Sequence, residues 1–217
     1  MNNLDVYKVA IFDCDGVILD SNRVKSEAFA LALSDESPEL VREFIRYHQK
    51  NGGISRYIKF EHFFKHIKKQ HSYTESLANV LTRYAALSKK GLLECAEIKG
   101  IRKVLAYFND HDIPCYVASG GDQEEVRAVF DARELSSFFN GIYGSPLSKI
   151  ENLALLKCDE RILSPGVFFG DANSDLKAAQ EYKLDFIFVS GSSEWVEGQQ
   201  ICSKLNLASL VNFDVLR

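Results

Sequence analysis

Residues 7–17 read Tyr-Lys-Val-Ala-Ile-Phe-Asp-Cys-Asp-Gly-Val. The run Tyr7 to Phe12 is short, apolar and rich in β-formers, and it stops at two acids and a glycine. That pattern predicts a strand buried in a parallel sheet that feeds directly into a loop. Asp13 and Asp15 are two apart, so a chain that stays extended sends both carboxylates to one side while Cys14 points away. Gly16 follows where the loop must turn tightly beside a ligand.

Downstream the texture changes. Asn22–Leu33, Pro38–Gln49, Arg56–Gln70 and Thr74–Ser88 all return apolar residues every three or four positions, which predicts amphipathic helices. Gly52 and Gly53 separate the second helix from the third, and Gly91 is expected to close the fourth. From Ile98 the pattern alternates: helix Gly100–Asn109, strand Ile113–Ala118, helix Asp122–Phe130, strand Gly141–Tyr143, helix Lys149–Cys158, strand Gly166–Phe169, helix Ser174–Tyr182 and strand Asp185–Val189. Five short strands joined by helices imply an α/β fold, a doubly wound parallel sheet whose ligand lies beyond the carboxyl ends of the strands. The helical stretch is then an insertion, giving a core of residues 1–20 and 95–217 and an all-helical domain of residues 21–94.

Composition narrows the function classes. The 217 residues are 46% hydrophobic and 26% charged, with 26 Lys and Arg against 30 Asp and Glu, a net charge of -4. An acidic chain has no overall basic field for a polyanion, so nucleic acid is not an expected partner. The charge is uneven: residues 21–94 hold 13 basic and 8 acidic side chains, a net of +5, and the remainder 13 and 22, a net of -9. A basic module closing over an anionic substrate would look like this. The five cysteines form no CxxC pair and are odd in number, which favours neither a disulfide framework nor a zinc site. No apolar run approaches the roughly 20 residues of a membrane span, and the polar start lacks a charged segment followed by an apolar one. The expectation is a cytoplasmic protein with no membrane contact, monomeric or dimeric.

Three further strand ends carry polar residues. The second ends in Ser119, Gly120 and Gly121 before a helix at Asp122, and a hydroxyl with free backbone N–H groups at a helix start can cradle phosphate. Lys149 opens a helix after the third strand, where a cation opposes the helix dipole and calls for an anion nearby. The fourth ends in Gly-Asp-Ala-Asn-Ser-Asp, residues 170–175, so that Asp171 and Asp175 stand four apart and can both face the sheet end. A hard cation such as Mg²⁺ takes one or two carboxylates plus water and substrate oxygens, which Asp13 with Asp171 could supply.

These four pieces, in this order, resemble the haloacid dehalogenase-like superfamily over nearly the whole chain. Asp13, Cys14, Asp15, Gly16 and Val17 match its first motif, Ser119 its second, Lys149 its third and Asp171 through Asp175 its fourth. The resemblance implies a Rossmann-like core and a helical cap of the phosphoglycolate phosphatase and β-phosphoglucomutase type. It makes Asp13 the nucleophile that becomes an aspartyl-phosphate and Asp15 the acid and then the base. Ser119, Gly120 and Lys149 would hold phosphoryl oxygens. Mg²⁺ would be held by Asp13, Asp171 and the main-chain carbonyl of Asp15, with Asp175 supporting. A carboxylate at position 15 is what the family's phosphatases and mutases keep and its dehalogenases lack. In the insertion, Arg56 looks like the substrate-loop arginine, and Arg23 and Lys25 are further candidates for substrate contact. Lys25 stands where mutases usually carry histidine. The implied activity is Mg²⁺-dependent hydrolysis of a small phosphorylated metabolite, ahead of a sugar-phosphate mutase or a non-catalytic regulatory protein.

Overall fold

A computed structural model of the chain describes residues 4–162 and 164–215. Its strands are Val9–Phe12 (β1), Cys115–Asp122 (β2), Gly141–Ser145 (β3), Gly166–Gly170 (β4), Asp185–Val189 (β5) and Ala208–Leu210 (β6). They form one sheet in the order β3-β2-β1-β4-β5-β6, parallel at every pairing. Helices Asn22–Ala32 (α1), Pro38–Lys50 (α2), Arg56–His62 (α3) and Thr74–Glu94 (α4) lie between β1 and β2, followed by Ile101–Asp110 (α5). Gln123–Ala132 (α6), Lys149–Cys158 (α7), Asn173–Glu181 (α8) and Gly198–Lys204 (α9) complete the α/β alternation.

Period-two alternation decides the layers. From β1, Ala10 and Phe12 enter a core shared with α5 and α6, while Val9 and Ile11 enter the opposite core shared with α7 and α8. All four are fully buried, as a central parallel strand requires. The insertion has an apolar cluster of its own, in which Phe29 stacks on Tyr84 at 4.1 Å between ring centroids and Phe44 and Phe60 lie fully buried. Each such aromatic contributes about 1.5–3 kcal/mol of burial. The two chain crossings that join insertion to core run side by side: Asp20 N–H donates to Ala96 O at 2.9 Å and Ile98 N–H to Ile18 O at 2.9 Å.

Three details depart from the sequence reading. The sheet has six strands rather than five, because β6 adds to β5 beyond the last predicted strand. Gly91 does not close α4, which runs on to Glu94; a Cβ there would fall 2.1 Å from Val24 Cγ1, so the glycine lets α1 approach the last turn of α4. The third predicted helix divides, with α3 ending at His62 and a widened π-type turn over Phe63–Ile67 that takes both Phe63 and Phe64 into the core.

Between β1 and β4 the strand order reverses, and the crevice at that switch point is where a doubly wound sheet binds its ligand. Asp13 follows β1 and Asp171 follows β4, so the topology itself brings them together.

Candidate active site

Asp13 continues the β1 ladder, its N–H donating to Phe169 O at 2.9 Å. Its carboxylate is 2% exposed, with Oδ1 accepting from the Cys14 N–H at 2.7 Å and Oδ2 lying 2.8 Å from Lys149 Nζ. The lysine starts α7, whose Ser148 caps the helix reciprocally with Glu151, and its ammonium also reaches Asp175. The other oxygen of Asp175 accepts the backbone N–H groups of Asp171 and Ala172, at 3.1 and 2.9 Å. Asp175 therefore has both oxygens engaged and fixes the loop that carries Asp171. Among the described residues, the Asp171 carboxylate receives only the Asn22 amide, at 2.5 Å.

Burial pushes the Asp13 carboxyl up to about 7; Asp175 and Asp15 add to the rise and Lys149 opposes it. Asp171 is raised well above the usual carboxylate range by burial and by the neighbouring Asp13 and Asp175. Carboxylate oxygens of Asp13, Asp171 and Asp175 lie within 4.8 Å of one another, all buried. Such an all-oxygen, electron-rich cluster fits a hard divalent cation. Gly16 keeps the space open: its φ is +74°, and a Cβ would fall 2.3 Å from Asp171 Oδ2.

Asp15 faces the insertion. Ser21 Oγ donates to its Oδ1 and Lys25 Nζ to its Oδ2, each at 2.5 Å. Burial opposes the charge, but Lys25 and these bonds outweigh it and hold the carboxyl below its ordinary value. Ser119 is fully buried, its Oγ accepting the Gly121 N–H at 2.9 Å. Gly120 lies against the loop between α2 and α3, where a Cβ would fall 2.2 Å from Gly53 O. On the other side of that loop, Ser174 Oγ donates to Gly52 O at 3.1 Å.

The insertion thus sits directly on the strand ends and encloses a cavity of about 60 Å³ lined by Asp13, Asp15, Lys25, Gly120 and Asp171. Arg56 also lines it, but its guanidinium is spent on Glu125 of α6, with NH1–Oε2 at 2.9 Å and NH2–Oε1 at 2.5 Å, above the Tyr84 ring. It ties insertion to core rather than offering a free cation. Arg23 is not at the site: its side chain is 88% exposed and pairs with Glu27 on the outer face of α1.

Sequence reasoning missed several polar cavity residues. Asn22, His48, Lys59 and Glu194 all line it, yet His48 and Lys59 read as ordinary polar positions of amphipathic helices. The one available signal was the polar pair at i and i+3 from the Gly-Gly break, Lys59 following Arg56 on one face of α3.

A family model described as haloacid dehalogenase-like hydrolase matches residues 10–189. The chain belongs to this family. Solved structures similar to this hydrolase include a β-phosphoglucomutase from Clostridium difficile, 16% identical with a TM-score of 0.75, over 97% of this chain and 93% of that one. A predicted phosphoglycolate phosphatase from Haemophilus somnus is 16% identical, TM-score 0.75, covering 99% and 98%. YfnB of Bacillus subtilis, described as a HAD-hydrolase bound to magnesium, is 18% identical, TM-score 0.62, covering 93% and 99%. At these identities the likeness is one of fold. Among curated proteins none matches by sequence. Among the described residues no helix is long and apolar enough to cross a membrane.

Proposed function

We propose that this hydrolase is a Mg²⁺-dependent phosphatase that cleaves small phosphorylated metabolites through an aspartyl-phosphate on Asp13, with helices α1–α4, within residues 21–94, serving as the cap. The observation that carries the reading is the buried Asp13 carboxylate, which shares Lys149 with Asp175 and faces Asp171. Asp13 and Asp171, with the carbonyl of Asp15, would hold the cation. When bound, Mg²⁺ supplies positive charge that lets a carboxylate approach a phosphate dianion, a repulsion on the order of 1 kcal/mol per charge pair in water and more in a buried site.

The chain's own groups account for the rest. An Asp13 oxygen attacks phosphorus while the ester oxygen departs with a proton from Asp15, leaving an acyl phosphate on Asp13. Asp15, now a carboxylate, takes a proton from water, which attacks the same phosphorus and frees inorganic phosphate and Asp13. Lys149, Ser119 and the Gly120 backbone hold phosphoryl oxygens through both steps. The closed cap excludes bulk water, and the Lys25 and Ser21 contacts fix the position of the Asp15 carboxyl and favour its carboxylate once the ester oxygen has taken the proton.

A mutase must instead shield the acyl phosphate from water and return it to a sugar. The Lys25–Asp15 pair, at the place where mutases carry histidine, argues for hydrolysis. Incubation of the purified protein with a panel of phosphate monoesters and Mg²⁺ should release phosphate steadily, with no stimulation by glucose 1,6-bisphosphate and at least tenfold less product in excess chelator. Undiminished release in chelator would defeat the metal assignment, and faster isomerisation than phosphate release would defeat the phosphatase reading.

A further inference from the structure

Buried cations in this protein are neutralised by adjacent acids. Lys25 meets Asp15, Arg56 meets Glu125, and Lys149 meets Asp13 and Asp175. Lys59 is the exception among the described residues. It is 2% exposed, lines the cavity, and takes part in no ion pair. Its ammonium sits 2.7 Å from His48 Nδ1 and 5.5 Å from the Phe29 ring centroid. Burial and the charge of Lys25 bring its pKa down to about 7, outweighing the opposing pull of Asp15 and Glu194, as expected for a desolvated cation with no acid in direct contact.

The surroundings hold this lysine rather than satisfy it. His48 is 7% exposed, and its Nε2 lies 3.0 Å from Ser26 Oγ, which in turn donates to Glu194 at 2.9 and 3.1 Å. Burial, Lys59 and Lys25 hold the imidazole neutral, with its pKa lowered to about 2. A neutral ring has one acceptor and one donor. The chain is then consistent in one direction: Lys59 donates to Nδ1, Nε2–H donates to Ser26, and the Ser26 hydroxyl donates to Glu194. One of three ammonium hydrogens is used, and the other two have no acceptor among the described residues.

We propose that Lys59 is a specificity-determining residue that receives an anionic group of the substrate other than the phosphoryl group transferred. The substrates are accordingly phosphate monoesters with a second anion on a short skeleton. Lys59 and Asp13 line the same small cavity, of about 60 Å³, which disfavours a long or branched chain between the two anions. His48 acts as a positioning residue, since its Nδ1 fixes where the ammonium points. The inference rests on the phosphoryl site proposed at Asp13, because it measures the second anion from the first.

The test uses esters that differ in one group. 3-Phosphoglycerate and glycerol 3-phosphate share a skeleton and differ by a carboxylate against a hydroxymethyl, and propane-1,3-diyl bisphosphate offers phosphate as the second anion. Binding is read by calorimetry on the Asp13→Asn protein, and turnover as kcat/KM on the wild type and Lys59→Met. The expected result is at least tenfold tighter binding and higher kcat/KM for one or both dianionic-skeleton esters over glycerol 3-phosphate, whichever anion fits better. Lys59→Met should bring the ratio to about one, with the loss mostly in KM. Equal binding of all three by a protein that hydrolyses them overturns the role of Lys59 and leaves the phosphatase reading standing. A binding preference without any hydrolysis does the reverse. A wild-type preference that survives Lys59→Met also overturns the proposal, and if that variant does not fold, the same comparison on His48→Gln decides.

Discussion

Lys59 carries a stability cost that can be measured apart from catalysis. A buried ammonium whose pKa falls from 10.5 to about 7 is protonated in both folded and unfolded chains below pH 7, so the penalty there is complete. Between pH 7 and about 10 the unfolded chain binds the extra proton, and stability rises with pH on account of this group. Lys59→Met should therefore raise Tm in thermal unfolding at pH 6.5, by about 2–4 °C for each kcal/mol relieved, and the gain should shrink at pH 9. A gain that grows with pH, or a loss at both values, would mean that the ammonium is compensated in solution. Asp13, Asp15, Ser119, Lys149 and Asp171 were all legible in the sequence, because each follows a recognisable strand or opens a recognisable helix. Lys59 and His48 were not, since their burial depends on how α2 and α3 pack against α1, and helical periodicity alone cannot distinguish a solvated lysine from a trapped one. Arg23 shows the converse: close in sequence to the first motif, it turns on α1 to the outer face.

At the scale of elements, α3 meets α6 through Arg56 and Glu125, with Ser88 of α4 donating to the same carboxylate at 2.9 Å. Both partners are nearly excluded from solvent, 5% and 8% exposed in their side chains. Removing one member of such a pair strands a charge and costs about 3–5 kcal/mol, whereas replacing both with apolar groups costs far less. Glu125→Leu should thus lower stability in urea unfolding more than the double variant Arg56→Met with Glu125→Leu. A double variant less stable than the single would show that the pair is not closed in solution. Element boundaries were readable wherever capping and period agreed: α7 and β5 match their predicted ranges to the residue. β6 escaped because a three-residue edge strand with one buried position has no period to detect. Gly91 misled because its role is to admit Val24 rather than to end a helix.

Over the whole molecule, the uneven charge acquires a structural meaning. The insertion, net +5, places Lys25 and Arg56 on acids of the remainder, net -9, and adds neutral donors at the same seam, with Tyr57 OH on Asp122 at 2.9 Å and Ser26 on Glu194. The imbalance was visible in the sequence, but not which cations would be consumed by closure and which left for a ligand. That partition depends on three-dimensional pairing, and it leaves Asp13 beneath the insertion with Lys149 on one oxygen. The central claim is that Asp13 becomes covalently phosphorylated. The direct measurement is to quench turnover with acid in the presence of Mg²⁺ and the fastest ester, reduce with borohydride, and locate the modification by peptide mass spectrometry. An acyl phosphate on Asp13 is reduced to a homoserine at position 13, appearing only when both ester and Mg²⁺ were present. Released phosphate with an unreduced Asp13, or with the modification on another residue, would contradict the account.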